Sequence, residues 1–229
     1  MYVKYPILQN NLDTKVLDKQ SQHWEKNFSN KPEMFGLEPS YSAKKSLEIF
    51  KKNKINNIIE LGAGLGRDTI FFAENDINVH ALDYSQSAIN IIKDKVKKKQ
   101  LQNKITAEVF DVRKKFQFSN NFFDSCYSHM LYCMALSNID LIKLNQEILR
   151  IIKPGGFNIY TVRNTFDADF KKGISRGDDL YEIDGFIVHF FSDEKIKSLL
   201  DGYLNIELEK FDEGSFPRKL SLVYNQKNN

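Results

Sequence analysis

Residues 57–73 read NIIELGAGLGRDTIFFA, and this stretch constrains the fold more than any other. An apolar run ends in an acid, and Gly62, Gly64 and Gly66 follow at alternate positions. A helical pattern resumes at Arg67. A strand that stops at Leu61 and a helix that starts at Arg67 leave a short turn whose backbone must bend sharply, and glycine allows this without steric cost. In an open α/β sheet, ligands bind beyond the carboxyl ends of strands, where the strand order reverses. The stretch therefore reads as a ligand cradle.

The surrounding pattern agrees. INNIIEL (55–61), INVHALD (77–83), KITAEVFD (104–111), FFDSCYSH (122–129) and GGFNIYTVR (155–163) read as strands, with helices over Arg67–Asn75, Ser85–Lys99 and Asn138–Ile152. Strands alternating with helices predict a parallel sheet covered on both faces. Ahead of it, a helix is expected from Thr14 to Ser29, with Leu17, Trp24 and Phe28 on one face. A second, SAKKSLEIFKKN, has Ser40 or Ser42 as its N-cap. The polar, glycine-bearing segment 164–186 predicts no regular element and is expected to be a lid. IVHFF, a helix over Ser192–Leu200 and the strands YLNIELEKFD and RKLSLVYNQK end the chain, the last two as an antiparallel hairpin across EGSFP. The expected fold is a Rossmann-like, doubly wound α/β sheet of seven strands, five parallel plus the C-terminal hairpin, with an N-terminal helical cap. It is expected to form one domain over 1–229. Its parts are a cap (1–54), a cofactor-binding core (55–163), a substrate lid (164–191) and a C-terminal helix and hairpin (192–229).

Composition narrows the partners. With 33 basic against 30 acidic residues and a net charge of +3, the chain does not suggest a polyanion binder, and a nucleic-acid partner is not expected. KDKVKKKQ ends an amphipathic helix and reads as a solvated face. Two cysteines make neither a disulfide framework nor a zinc set, so no metal is expected. Cys126 is expected inside a strand, and Cys133 exposed near the pocket. MYVKYPILQNNLD carries no sustained apolar run, and no 18-residue apolar segment occurs, so a cytoplasmic protein without a membrane partner is expected. A monomer or a homodimer is compatible with the pattern.

The glycine spacing chooses among ligands. A dinucleotide fingerprint needs a third glycine where this chain has Arg67, and a phosphate loop needs Gly-Lys-Ser/Thr, which is absent. What remains is E-x-G-x-G-x-G over Glu60, Gly62, Gly64 and Gly66. This resembles motif I of the class I S-adenosylmethionine-dependent methyltransferases. The resemblance continues through acids ending the second and third strands (Asp83 in ALDYS, Asp111 in VFDV), FFDSCYSHMLYCMAL at the fourth, and EILRIIKPGGFNIYTVRN leading into the fifth. It covers residues 55–164 in order and spacing. The layout, a short chain with a helical cap and a lid, is similar to tellurite-resistance and thiopurine-type small-molecule enzymes.

The resemblance implies S-adenosylmethionine as cofactor. It implies cofactor contacts from Glu60, Gly62, Ala63, Gly64, Gly66, Asp83, Tyr84, Asp111, Val112, Ser128 and His129. Asp83 suits the two ribose hydroxyls; the bland alternative is an N-cap of the next helix, a role open to Tyr84 or Ser85 as well. Asp111 suits the adenine amino group and Val112 a backbone N–H, against a solvated turn acid. Glu60 would hold the glycine turn or reach the cofactor's amino group indirectly, and Ser128 and His129 would line the methionine end.

Methyl transfer from a sulfonium is an in-line displacement dominated by alignment and exclusion of water, so no universal catalytic residue is expected. His129 and His189 are the candidates for base or orienter, with a structural role open for His189. Trp24, Phe28, Tyr132, Arg163 and Asn164 are the candidate walls for a small-molecule acceptor, and core packing is the alternative for Trp24 and Phe28. An RNA or protein methyltransferase is the alternative activity, with KKGISR (171–176) as its local support. A non-catalytic cofactor-binding protein and a nicotinamide oxidoreductase are the competing classes, the latter opposed by Arg67.

Overall fold

The computed structural model describes residues 14–31, 34–214 and 218–228. The N-terminal stretch read above for its lack of an apolar run lies outside them, as does most of the EGSFP turn. The cap holds α1 (Thr14–Asp18), α2 (Gln20–Asn30) and α3 (Tyr41–Lys52). The expected first helix is thus two, interrupted at Lys19. Ser40 is the residue that caps α3, its hydroxyl accepting from Ala43 N–H.

The core runs β1 (Asn57–Leu61), α4 (Arg67–Glu74), β2 (Asn78–Asp83), α5 (Gln86–Lys98), β3 (Ile105–Val109), β4 (Phe123–Ser128), α6 (Asn138–Ile151) and β5 (Ile152–Asn164). These five strands are parallel in the order β3-β2-β1-β4-β5. The order reverses between β1 and β4, which places the switch point directly beyond Leu61. Burial is nearly continuous along β1, β4 and β5 from Gly156 onward, as it is for central strands covered on both faces. α3, α4 and α5 cover one face through Leu47, Phe50, Phe72, Ile89 and Ile92. α6 and the short α7 (Asp193–Ser198) cover the other through Leu144, Ile148 and Ile196. β9 (Tyr203–Glu213) and β10 (Arg218–Lys227) form the expected hairpin, with β10 antiparallel to β5.

The lid is more ordered than its composition suggests. β6 (Ile174–Gly177), β7 (Leu180–Ile183) and β8 (Phe186–Phe191) form a small antiparallel sheet, and β8 also pairs with the end of β5. Both connections are two-residue turns with positive φ at each position: 53° and 62° at Asp178 and Asp179, 50° and 82° at Asp184 and Gly185. That is the type I′ signature, and Asp-Gly is its preferred sequence. Among the described residues, no helix is long and apolar enough to cross a membrane, and no group of three or more His, Cys, Asp or Glu is placed to hold a metal ion.

Candidate functional site

The glycine turn is built as its sequence requires. Gly62, Gly64 and Gly66 take φ of 67°, 52° and 77°. Gly62 and Ala63 both donate N–H to Leu82 O, at 2.8 and 3.0 Å, which ties the turn to β2. The space beside each glycine differs. A Cβ on Gly66 would lie 2.6 Å from Ile92 Cγ1, and one on Gly62 3.0 Å from Leu131 Cδ1. One on Gly64 would meet only Phe28 Cζ, at 3.8 Å. Gly66 is therefore bare for packing, whereas Gly64 faces what lies above the turn.

Two buried acids flank the turn. Asp83 ends β2; its Oδ2 accepts Gly64 N–H at 2.8 Å and its Oδ1 accepts Ser85 N–H at 2.9 Å. Burial pushes its carboxyl up to about 6, against the N–H groups of Ser85, Gly64 and Tyr84, which favour the ionised form. Helix α5 takes its N-cap from Ser85, whose hydroxyl accepts from Ala88 N–H, so Asp83 is spared the capping role. Glu60 is buried inside β1 and accepts from Thr69 Oγ1 at 2.5 Å. Burial above all, with Asp68 and Asp83 nearby, raises its carboxyl well above the usual range. Its place under the turn makes it a brace between β1 and α4. Tyr84 is half-buried beside Asp83, and Val112 is buried.

A second polar cluster sits at the same end of the sheet; local sequence pointed to His129 and to the cap serines Ser40 and Ser42, but not to their joining with Asp68, Tyr127 and Glu213. Asp68, in the first turn of α4, accepts Ser40 N–H at 2.8 Å, Ser40 Oγ at 2.7 Å and Tyr127 Oη at 2.9 Å. Tyr127 also meets Ser42 Oγ at 2.9 Å, and Ser42 Oγ lies 2.9 Å from His129 Nδ1. Thr161 Oγ1 is 3.1 Å from the same nitrogen, and His129 Nε2 faces Glu213 at 3.2 Å. Arg67 closes the ring, 3.2 Å from Glu213 and bonded to Phe35 O. Burial pushes the Glu213 carboxyl up, but His129 and Arg67 outweigh it and hold the group below its usual range. Both ring nitrogens of His129 are thus engaged, which makes it an oriented wall of the site. The neighbouring Ser128 is fully buried at the end of β4, and its hydroxyl has no partner. Tyr127→Phe removes an oxygen that contacts three buried groups. It is expected to lower stability by about 1–3 kcal/mol, read as a lower urea midpoint with an unchanged slope.

Several candidates from the sequence are corrected by their surroundings. Tyr132 is no acceptor wall: it is fully buried, stacked on Tyr160 at 4.0 Å, and its hydroxyl meets Asn145 and Asn158. Arg163 is spent on Asp167 and Asp169, with its guanidinium 5.1 Å from the Phe190 ring centre. Asn164 is buried; it accepts Phe166 N–H and reaches Ser221. His189 is fully buried and donates from Nδ1 to Leu136 O at 2.8 Å, while Lys195 Nζ lies 2.7 Å from its Nε2. Burial and the Lys195 ammonium pull it down to about 3, so it is a neutral fastener of the lid. Cys133 is buried rather than exposed, its thiol donating to Met130 O. Asp111 is clamped by Arg113 through Nε at 3.0 Å and Nη2 at 2.7 Å, and Arg113 also binds Asp18 of α1. Its carboxylate is engaged within the protein instead of standing open to an adenine.

Trp24 and Phe28 are placed by α2 over the glycine turn. Phe28 is buried against Leu65 and Ala88, and Trp24 packs on Phe28, Phe35 and Phe186 at 5.3, 6.4 and 5.0 Å between ring centres. Glu25, which sequence reasoning missed, reaches the start of α5. It accepts from the hydroxyls of Ser85 and Ser87, both at 2.5 Å, and from Ser87 N–H at 3.2 Å.

Comparison with known proteins agrees with this geometry. Residues 58–156 match the family model of a methyltransferase domain. Over 146 residues, 63% of this chain, the sequence is 29% identical to phosphoethanolamine N-methyltransferase 1 of Triticum aestivum. Over 103 residues, 44% of this chain, it is 29% identical to demethylmenaquinone methyltransferase of Leptospira interrogans. The matched parts cover 26% and 40% of those relatives' lengths. Among solved structures, the N-methyltransferase NodS of Bradyrhizobium japonicum, in complex with S-adenosyl-L-homocysteine, superposes with a TM-score of 0.69 at 16% identity, covering 93% of this chain and all of that one (100%). TehB of Haemophilus influenzae gives 0.66 at 14% identity, covering 90% of this chain and 67% of that one.

Proposed function

We propose that this chain, whose residues 58–156 match a methyltransferase domain and whose fold is that of the class I S-adenosylmethionine-dependent methyltransferases, transfers a methyl group from S-adenosylmethionine to a small-molecule acceptor. The observation that carries the reading is Asp83: a buried carboxylate at the switch point, held against the glycine turn by Gly64 N–H. Each of its oxygens takes one backbone N–H and keeps a lone pair for a ribose hydroxyl. Ser128 offers an unpartnered buried hydroxyl at the expected methionine end, and Gly64 leaves room for a ligand to approach the backbone. Tyr84 and Val112 flank the expected adenine position. The residues present therefore fit the cofactor, with Asp111 withdrawn from the set by Arg113.

Bound S-adenosylmethionine supplies a methyl group already activated on a sulfonium. The protein's part is to orient and to exclude water. Asp83 and the turn fix the cofactor's frame, and His129 is locked by Ser42, Thr161 and Glu213 beside the end of β4. The cap and the lid meet at Trp24 and Phe186 to enclose the acceptor side. A small acceptor is supported by this enclosure and by the acceptors named for the two relatives. Arg176, part of the basic run that supports the RNA or protein alternative, is ion-paired to Glu182 within the lid.

Calorimetry with S-adenosylmethionine and S-adenosylhomocysteine tests the cofactor. Micromolar binding is expected, followed by methyl transfer in a screen of thiols, amines, hydroxyls and chalcogenides. Folded protein that binds neither ligand would sink the reading.

A further inference from the structure

The amino-end pole of the sheet, opposite the glycine turn, gathers lysines that the sequence keeps apart. Helices α3, α4 and α5 run back against the parallel strands, so all three end there. Lys51 Nζ reaches Asn75 Oδ1 at 3.3 Å, and Lys99 Nζ pairs with Glu74 at 2.5 Å. These two contacts join the ends of α3 and α5 across the end of α4. The start of β5 adds Lys153, 2.6 Å from Asp124. The end of β10 adds Lys227, bonded to Asn121 Oδ1 and Ile152 O. Read alone, KDKVKKKQ is a solvated helix face; the fold sets the other lysines beside it.

Most acids of this pole are already matched. Glu74, Asp76 and Asp124 pair with Lys99, Lys104 and Lys153, and Glu147 pairs with Arg150. Lys52, Lys54, Lys97 and Lys98 are exposed and make no ion pair among the described residues. Asp201, beyond α7, is an unmatched acid that offsets one of them. Helix dipoles favour lysines in the last turns of α3 and α5. Lys54, Lys153 and Lys227 lie outside any helix, so the surplus belongs to the pole as a whole. Phe122 stands in the same place, 48% exposed, with its ring stacked on Phe118 and its carbonyl accepting from Asn57 Nδ2.

We propose that this lysine pole rests on an anionic lipid surface, with Phe122 entering the headgroup layer and the cleft turned away from it. The charges complement such a surface, and each lysine held near it adds about fivefold to partitioning. They are spread across strands about 4.8 Å apart, a flat array rather than a groove that tracks a nucleic-acid backbone. Arg150, a guanidinium at this pole, is spent on Glu147, Phe116 O and Phe118 O, so its fork is closed to phosphates and bases. One exposed phenylalanine is also short of the row of rings on which successive bases stack. Binding of this kind needs neither cofactor nor acceptor, so it stands or falls apart from the methyltransferase reading.

Co-sedimentation of the full chain with vesicles tests this, using phosphatidylcholine alone and phosphatidylcholine mixed with one-third phosphatidylserine. The chain is expected to bind the mixed vesicles at about 0.05 M salt, about tenfold or more weakly at about 0.5 M, and the neutral vesicles at neither. Reversing Lys52, Lys54, Lys97 and Lys98 together to glutamate should lower partitioning by about 100-fold or more. Reversing Lys19, Lys31, Lys171 and Lys172, exposed at the cleft end, gives the same net charge and should cost about threefold or less. Brominated lipid tails should quench the indole of Phe122→Trp and spare Trp24, the chain's single native tryptophan. Failure to bind the mixed vesicles at the lower salt overturns the proposal. So does an equal loss in the two charge variants, or quenching of Trp24 in place of the introduced indole. A short single-stranded oligonucleotide that binds more tightly than the vesicles, and is released by the pole variant, would assign the surface to nucleic acid and overturn it as well.

Discussion

Asp83→Asn is expected to abolish cofactor binding while stabilising the free protein at alkaline pH. In an unfolded chain this carboxyl titrates near 3.8, whereas in the fold burial raises it to about 6. The fold therefore prefers the protonated acid. The stability this group allows is full below the unfolded value, is lost as pH rises through about 6, and stays lost above it. A rise of two units corresponds to roughly 3 kcal/mol carried against folding at pH 8. Asparagine removes that burden but keeps one good acceptor for two N–H groups, which gives back about 1 kcal/mol. The net gain of about 2 kcal/mol raises Tm by about 4–8 °C at pH 8, whereas at pH 4, where the burden is nearly absent, the lost acceptor lowers Tm by about 1–3 °C. Affinity moves the other way: S-adenosylhomocysteine binding is expected to fall by about 100-fold or more, the loss of a charge-assisted pair of hydrogen bonds to the ribose. In the wild type, affinity should weaken as pH drops below about 6, because the ionised form is the one that accepts both hydroxyls. Calorimetry and a thermal scan at the two pH values decide it. A variant that binds as the wild type does, or that melts earlier at pH 8 by as much as at pH 4, would refute the assignment.

This dual character of Asp83 also shows which parts of the molecule were legible. Strand ends were accurate at Leu61 and Asp83 because an apolar run, an acid and a glycine turn coincide there, and these are local signals. The lid strands were missed even though Ile183-Asp184-Gly185-Phe186 carries a hairpin dipeptide, since the polar composition around it masked the alternation. The candidate site divides in the same way. Backbone roles were readable, because a glycine's freedom is a property of its own residue. Side-chain roles were readable only where no distant partner intervenes. Arg163, Asn164 and His189 look functional in sequence and are consumed by Asp167, Ser221 and Lys195, contacts fixed by packing. Glu25 and Glu213 look like ordinary surface acids and are brought to the cleft by α2 and β9. Arg113 was the exception: it lies two residues from Asp111 and was open to view as a competitor for that carboxylate.

The turn's glycines permit a sharper test, because two of them are bare for different reasons. Gly66→Ala places a methyl 2.6 Å from Ile92 Cγ1, in a backbone with φ of 77°. Left-handed strain of about 1–2 kcal/mol adds to overpacking of about 1–3 kcal/mol, so a loss of about 2–5 kcal/mol is expected in urea unfolding. Gly64→Ala meets only Phe28, at an ordinary 3.8 Å, and carries the backbone strain alone. Its stability loss should stay near 1–2 kcal/mol, while its methyl stands where the cofactor approaches, so S-adenosylhomocysteine affinity should fall by about tenfold or more. Combining Gly66→Ala with Ile92→Ala removes the clashing atom. The double-mutant cycle should then return a favourable coupling of about 1 kcal/mol or more, which the pair Gly64→Ala and Ile92→Ala should lack. Equal effects of the two glycine variants on both stability and affinity would mean that the turn acts as one rigid unit. Opposite profiles would separate the residue that packs α4 onto α5 from the one that admits the ligand, and would locate the cofactor's path over Gly64 without any bound complex.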